Sequence, residues 1–310
     1  MTRIGPAVVL AAILVSAASG GTPARPDNFR GSGTIVFSCS GCPEDIYGTE
    51  LFSVSASGRG FRLLATRLRA LSPRYPRWSP DGRSVAFSAQ RSIWRLAVRP
   101  KGQGRQLTQG RCGLCVRDPA WSPDGRTIVF VRDRTLFTMR AATGTRLREL
   151  NLWRRGPFGS PDWSPDGRRI AFHHATAGIY VVRADGRGAR RLKPPGVCGR
   201  LPRWSPDGKQ IAFIGFDGVG CRNHAVMVIR PNGKGLRVIV RPPRLQADSN
   251  PAWSPDGRHL LFVVGHELEH GLSNSELWVV SLNERAVRRI EIPELPQDVL
   301  FGINGVDWTR

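Results

Sequence analysis

Two groupings of residues in this chain have spacings that suit metal or redox chemistry. His266-Glu267-Leu268-Glu269-His270 reproduces the string in which two histidines hold zinc and a glutamate acts as general base. That chemistry needs a helix, which brings positions i and i+4 to one side. The flanking Gly265 and Gly271 instead predict a loop between a strand ending near Val264 and another starting near Glu276. His266 and His270, with His224 from a neighbouring repeat, remain candidate ligands for a loosely held metal; no resident cofactor is expected. The second grouping is Cys39-x-x-Cys42 and Cys112-x-x-Cys115, which with Cys198 and Cys221 make six cysteines, all expected in loops between strands. They can form three disulfides, Cys39 with Cys42, Cys112 with Cys115 and Cys198 with Cys221. Alternatively the two Cys-x-x-Cys pairs, 70 residues apart, supply four thiolates to zinc. A redox dithiol is the third option, and it needs a thioredoxin-like setting.

The compartment bears on that choice. Arg3, an apolar run from Ile4 to Val15 and the small residues Ser16 to Gly20 follow the order of a secretory signal peptide, with cleavage expected after Ala17 or Ala18. The run is short for a membrane span, and nothing later is apolar for long enough to be one. Residues 1–18 are therefore read as a signal peptide, 19–32 as a flexible Gly/Pro/Arg-rich lead-in and 33–310 as one folded domain, periplasmic, envelope-bound or extracellular. Export favours disulfides.

The elements that must position these residues come from a repeat. Trp-Ser-Pro-Asp-Gly begins at Trp78, Trp121, Trp163, Trp204 and Trp253, at spacings of 43, 42, 41 and 49 residues, close to the period of a four-stranded propeller blade. Nine residues after each tryptophan stands a phenylalanine: Phe87, Phe130, Phe172, Phe213 and Phe262. Ser-Pro-Asp-Gly predicts a tight hairpin turn, in which Pro presets φ, the carboxylates of Asp81, Asp124, Asp166, Asp207 and Asp256 bond nearby amides, and Gly takes positive φ. Trp and Phe then lie on the inner and second strands of a blade. Apolar stretches such as Ile93 to Val98 and Ile179 to Val182 supply third strands, and Arg-rich stretches such as Arg190-Arg191-Leu192 supply outer ones. Gly33 to Phe37 reads as a second strand with no inner strand before it, whereas Gly305 to Trp308 reads as an inner strand with nothing after it. The two fragments predict an all-β, six-bladed β-propeller closed by the C-terminal strand.

The five Trp-Ser-Pro-Asp-Gly copies and their following strands resemble the propeller repeat of TolB-like periplasmic proteins, and that of prolyl-oligopeptidase-type peptidases. The resemblance covers about residues 33 to 310. TolB carries an α/β domain before its propeller, for which this chain is expected to have no room. The Gly-x-Ser-x-Gly elbow of the peptidases does not occur, so peptidase activity is not implied.

The formal net charge of +22 comes from 42 arginines and four lysines. Arginines such as Arg148 and Arg288 in outer strands, and Arg83 and Arg126 beyond the turns, spread the charge around the ring without the aromatic platform of a nucleic-acid groove. The function expected is a non-enzymatic, monomeric binding module of the cell envelope, with a protein or peptide partner and no nucleic acid. The alternatives are a metal-assisted hydrolase or lyase in the propeller funnel, and a polyanion or glycan binder using the arginine rim.

Overall fold

A computed structural model describes residues 32–310 except 41–48, 66–67, 69–70, 100–101, 110–115, 153–155, 176–177, 193–196, 218–222, 243–244, 246–248, 268–272, 285 and 294–301. The expected signal peptide, nearly all of the lead-in, and Cys42, Cys112, Cys115, Cys221 and His270 lie outside the described residues. The chain is an all-β propeller of six four-stranded antiparallel blades. No helix among the described residues is long and apolar enough to cross a membrane.

Each blade grows outward from its inner strand. In blade 2 the inner strand Arg74–Trp78 turns at Ser79-Pro80-Asp81-Gly82 into the second strand Ser84–Ala89, then into the third, Ser92–Ala97, and the outer, Gly104–Gln106. Second strands carry apolar residues on both faces because each blade is stacked between two others. All six residues of Ser84–Ala89 are buried, whereas the outer strand Arg190–Arg191 of blade 4 is exposed. The core lies between blades: Val36 and Leu51 of blade 1 pack with Trp78, Val85 and Phe87 of blade 2. Burying one such aromatic stabilises the ring by roughly 2–3 kcal/mol.

The ring closes as the chain ends predict. Gly302–Thr309 joins blade 1 as its inner strand, with Ile35 opposite Trp308 and Phe37 opposite Val306.

Three loop assignments are corrected. Cys39 lies within the strand Thr34–Ser40, and Cys198 within the inner strand Val197–Trp204. His266 and Glu267 lie at the end of the strand His259–Glu267, where His266 pairs with Asn274 and Glu267 with Ser273. Ladder hydrogen bonding carries this hairpin past Gly265, which pairs with Ser275. The extended backbone there is incompatible with the helix that zinc proteolysis needs.

Candidate functional site

The inner strands of five blades share a distortion three residues before their tryptophans. Tyr75, Asp118, Ser160 and Leu201 have φ of 53°, 56°, 47° and 59°, and Gly305 has 107°. In blades 2 to 5 the pairing register slips across this point, between Arg74 and Arg77, Arg117 and Ala120, Gly159 and Asp162, and Arg200 and Arg203. These are β-bulges, and left-handed backbone at a non-glycine residue costs roughly 1–2 kcal/mol. Strain repeated at one level of the channel marks that level as a place where side chains are re-aimed.

Beyond the bulge, the residue before each tryptophan is Asp307, Arg77, Ala120, Asp162, Arg203 and Ala252 in blades 1 to 6, an Asp-Arg-Ala order occurring twice around the ring. Asp307 accepts the Trp78 N–H of the next blade at 2.7 Å, and Asp162 accepts that of Trp204 at 2.7 Å. Trp121 Nε1 donates to the Arg77 carbonyl at 3.1 Å, and Trp253 Nε1 to the Arg203 carbonyl at 3.0 Å. Arg77 reaches from blade 2 to Asp162 of blade 4, an ion pair spanning the channel, and lies 3.6 Å from Asp307 of blade 1. Burial opposes the Arg77 charge, but Asp307 and Asp162 outweigh it and hold its pKa above the ordinary value. Burial also raises the pKa of Asp307. Arg203 is 6% exposed; its Nη1 donates to the carbonyl of the preceding Pro202 at 2.8 Å, and its buried Nε has no partner among the described residues. Burial, then the like charge of Arg77, lower its pKa to about 9.

Before the bulge, Arg74, Arg117 and Arg200 stand on the inner strands of blades 2, 3 and 5, at what we call the channel mouth. Arg117 Nη1 bonds Asp118 Oδ2 at 2.6 Å, and the same oxygen accepts the Ser160 N–H at 2.9 Å, joining blades 3 and 4. The Arg200 guanidinium sits 4.4 Å from the Phe216 ring centroid. His173 lies across from Gly159, where any Cβ would overlap its ring, and its buried Nδ1 has no partner. Burial lowers its pKa to about 4, with Asp118 opposing and Arg117, Arg200 and Arg203 reinforcing the shift.

The residues singled out from sequence fall elsewhere. In all five turns the serine hydroxyl donates to the aspartate at 2.5–2.6 Å and the amide two residues after the aspartate donates to it at 3.0 Å. Glycines 82, 125, 167, 208 and 257 complete these turns with φ of 66–70°. His224 packs edge-on against Phe216, ring centroids 4.6 Å apart. Among the described residues no three His, Cys, Asp or Glu side chains are grouped to hold a metal. Cys39 is disulfide-bonded. Cys198 is exposed, and its expected partner Cys221 lies outside the described residues. The Asp-Arg-Ala alternation was the missed signal; it stands one residue before the repeat motif.

No family model matches the chain, and no curated protein matches it. Solved structures do. TolB from Acinetobacter baumannii superposes with a TM-score of 0.73 at 19% identity, over 89% of this chain and 66% of that protein. The fold is that of a TolB-like propeller. A putative TolB from Agrobacterium tumefaciens matches with a TM-score of 0.63 at 17% identity, over 90% of this chain and 99% of that one. An oligogalacturonate lyase from Vibrio parahaemolyticus matches with a TM-score of 0.54 at 14% identity, over 78% and 70%. At these identities the TolB-like likeness is one of fold, and the chain spans less than two thirds of the Acinetobacter TolB.

Proposed function

We propose that this TolB-like propeller is an exported, non-enzymatic binding module of the cell envelope, and that it presents its channel mouth to a protein or peptide partner. The observation that supports this reading is the row of strained bulges on five inner strands, beside which Arg74, Arg117 and Arg200 stand on three blades of a closed ring. Loops and strand ends held by such a scaffold recognise partners without reorganising first. The test is capture from the native envelope with the mature chain, compared with an Arg74→Glu/Arg200→Glu variant. Loss of the captured partner with the fold retained is expected; equal capture by the variant overturns the assignment to this face.

The lyase neighbour supports a second reading, an enzyme working in the same channel. Cleavage of oligogalacturonate by the purified chain would replace binding with catalysis.

A further inference from the structure

Among the described residues around the channel axis, Asp118, Asp162 and Asp307 each have a partner, whereas Arg203 forms no ion pair. Asp118 is held by Arg117 and the Ser160 amide, Asp162 by Arg77 and the Trp204 amide, and Asp307 by the Trp78 amide with Arg77 nearby. Arg203, the counterpart of Arg77 three blades away, forms no ion pair with any described residue. Its one hydrogen bond uses Nη1, which leaves the Nε edge of the guanidinium unengaged. That edge is the one that grips a carboxylate with two parallel bonds. An unpaired guanidinium nine-tenths buried is costly, and an anion beside it would also relieve its repulsion with Arg77. The three mouth arginines, three residues before Arg77, Ala120 and Arg203 on their strands, favour approach of negative charge.

We propose that Arg203 is a carboxylate-receiving subsite at the floor of the channel. The carboxylate belongs either to a small organic acid or to the free end of a longer chain. The subsite deepens the channel-binding reading and rests on it for its biological meaning.

The test measures thermal unfolding of the mature chain in sodium formate against sodium chloride at equal ionic strength. A saturable rise of about 3 °C at ten times Kd is expected. Arg203→Met should abolish it, and Arg191→Gln, on the exposed outer strand of blade 4, should leave it intact. A small-acid source predicts that formate suffices. A chain-end source predicts that a short peptide with a free C-terminus gives the larger rise and its C-terminal amide none. The proposal is overturned if neither carboxylate exceeds chloride, or if Arg203→Met responds as the wild type does. Should Arg203→Met fail to fold, Arg203→Lys identifies the Arg203 Nε–H resonance by its disappearance. Formate must then move that resonance in the wild-type spectrum, and movement of other arginines alone overturns the subsite. Failure of both carboxylates with partner capture retained removes the subsite alone; carboxylate binding with capture lost removes only the partner.

Discussion

Blades 1 to 3 and blades 4 to 6 carry the same Asp-Arg-Ala series and the same Asp-to-amide and indole-to-carbonyl bonds, yet their arginines differ. Arg77 is paired with Asp162 across the channel and lies near Asp307, whereas Arg203 bonds the carbonyl of the preceding Pro202. Interactions between consecutive blades repeat because each blade meets its neighbour in the same way. The axis is shared by all blades, so two equivalent cations compete there for the same two anions. Repetition therefore fixes positions, and the asymmetry arises only where the repeats converge.

The largest test of that difference is Arg77→Met. It leaves the buried Asp162 without its ion pair and removes the nearest cation from Asp307, so a loss of about 3–5 kcal/mol in denaturant unfolding is expected. A cost below 1 kcal/mol would mean that Arg203 takes over both anions and that the halves are interchangeable.

His173 gives the next effect, confined to blade 4. Its folded pKa of about 4 lies below the ordinary 6.5, so protons favour the unfolded chain. Stability is complete above pH 6.5 and falls as pH drops towards 4, by about 3 kcal/mol in all. His173→Asn should flatten that interval of the stability–pH curve. An unchanged slope would show that His173 takes up its proton without unfolding.

How far the sequence carries the argument can be judged residue by residue. Trp and Phe nine apart establish blades, and Trp308 opposite Ile35 closes the ring as the unmatched chain ends require. Both are local or nearest-neighbour relations, which a repeat displays. The Arg77 to Asp162 pair joins residues 85 apart on non-adjacent blades, and no local spacing encodes it. The Cys39 and Cys198 positions were misplaced for a different reason: strand ladders run beyond the apolar core into residues whose type suggests a loop.

The turns should behave oppositely to the axis. Asp81→Ala in blade 2 and Asp207→Ala in blade 5 each remove a serine and an amide bond at the surface, at a cost of about 1 kcal/mol apiece. Neither turn shares a partner with the other, so the two losses should be equal and additive in the double variant. Unequal losses would extend the asymmetry of the halves from the axis to the rim.

The smallest expected effect discriminates most. Arg203→Met removes a charge that is desolvated, repelled by Arg77 and, among the described residues, hydrogen-bonded only to the Pro202 carbonyl, while Asp162 and Asp307 keep their bonds to the Trp204 and Trp78 amides. The attraction it gives up to those two carboxylates offsets the relief, and stability should change by less than about 1 kcal/mol in either direction. Equal costs for Arg77→Met and Arg203→Met would require one delocalised network of four charges, in which no cation is left over for a ligand. A large cost for the first beside a negligible cost for the second would leave Arg203 with no structural reason to be buried as an arginine, which is the condition for its charge to serve something that enters the channel.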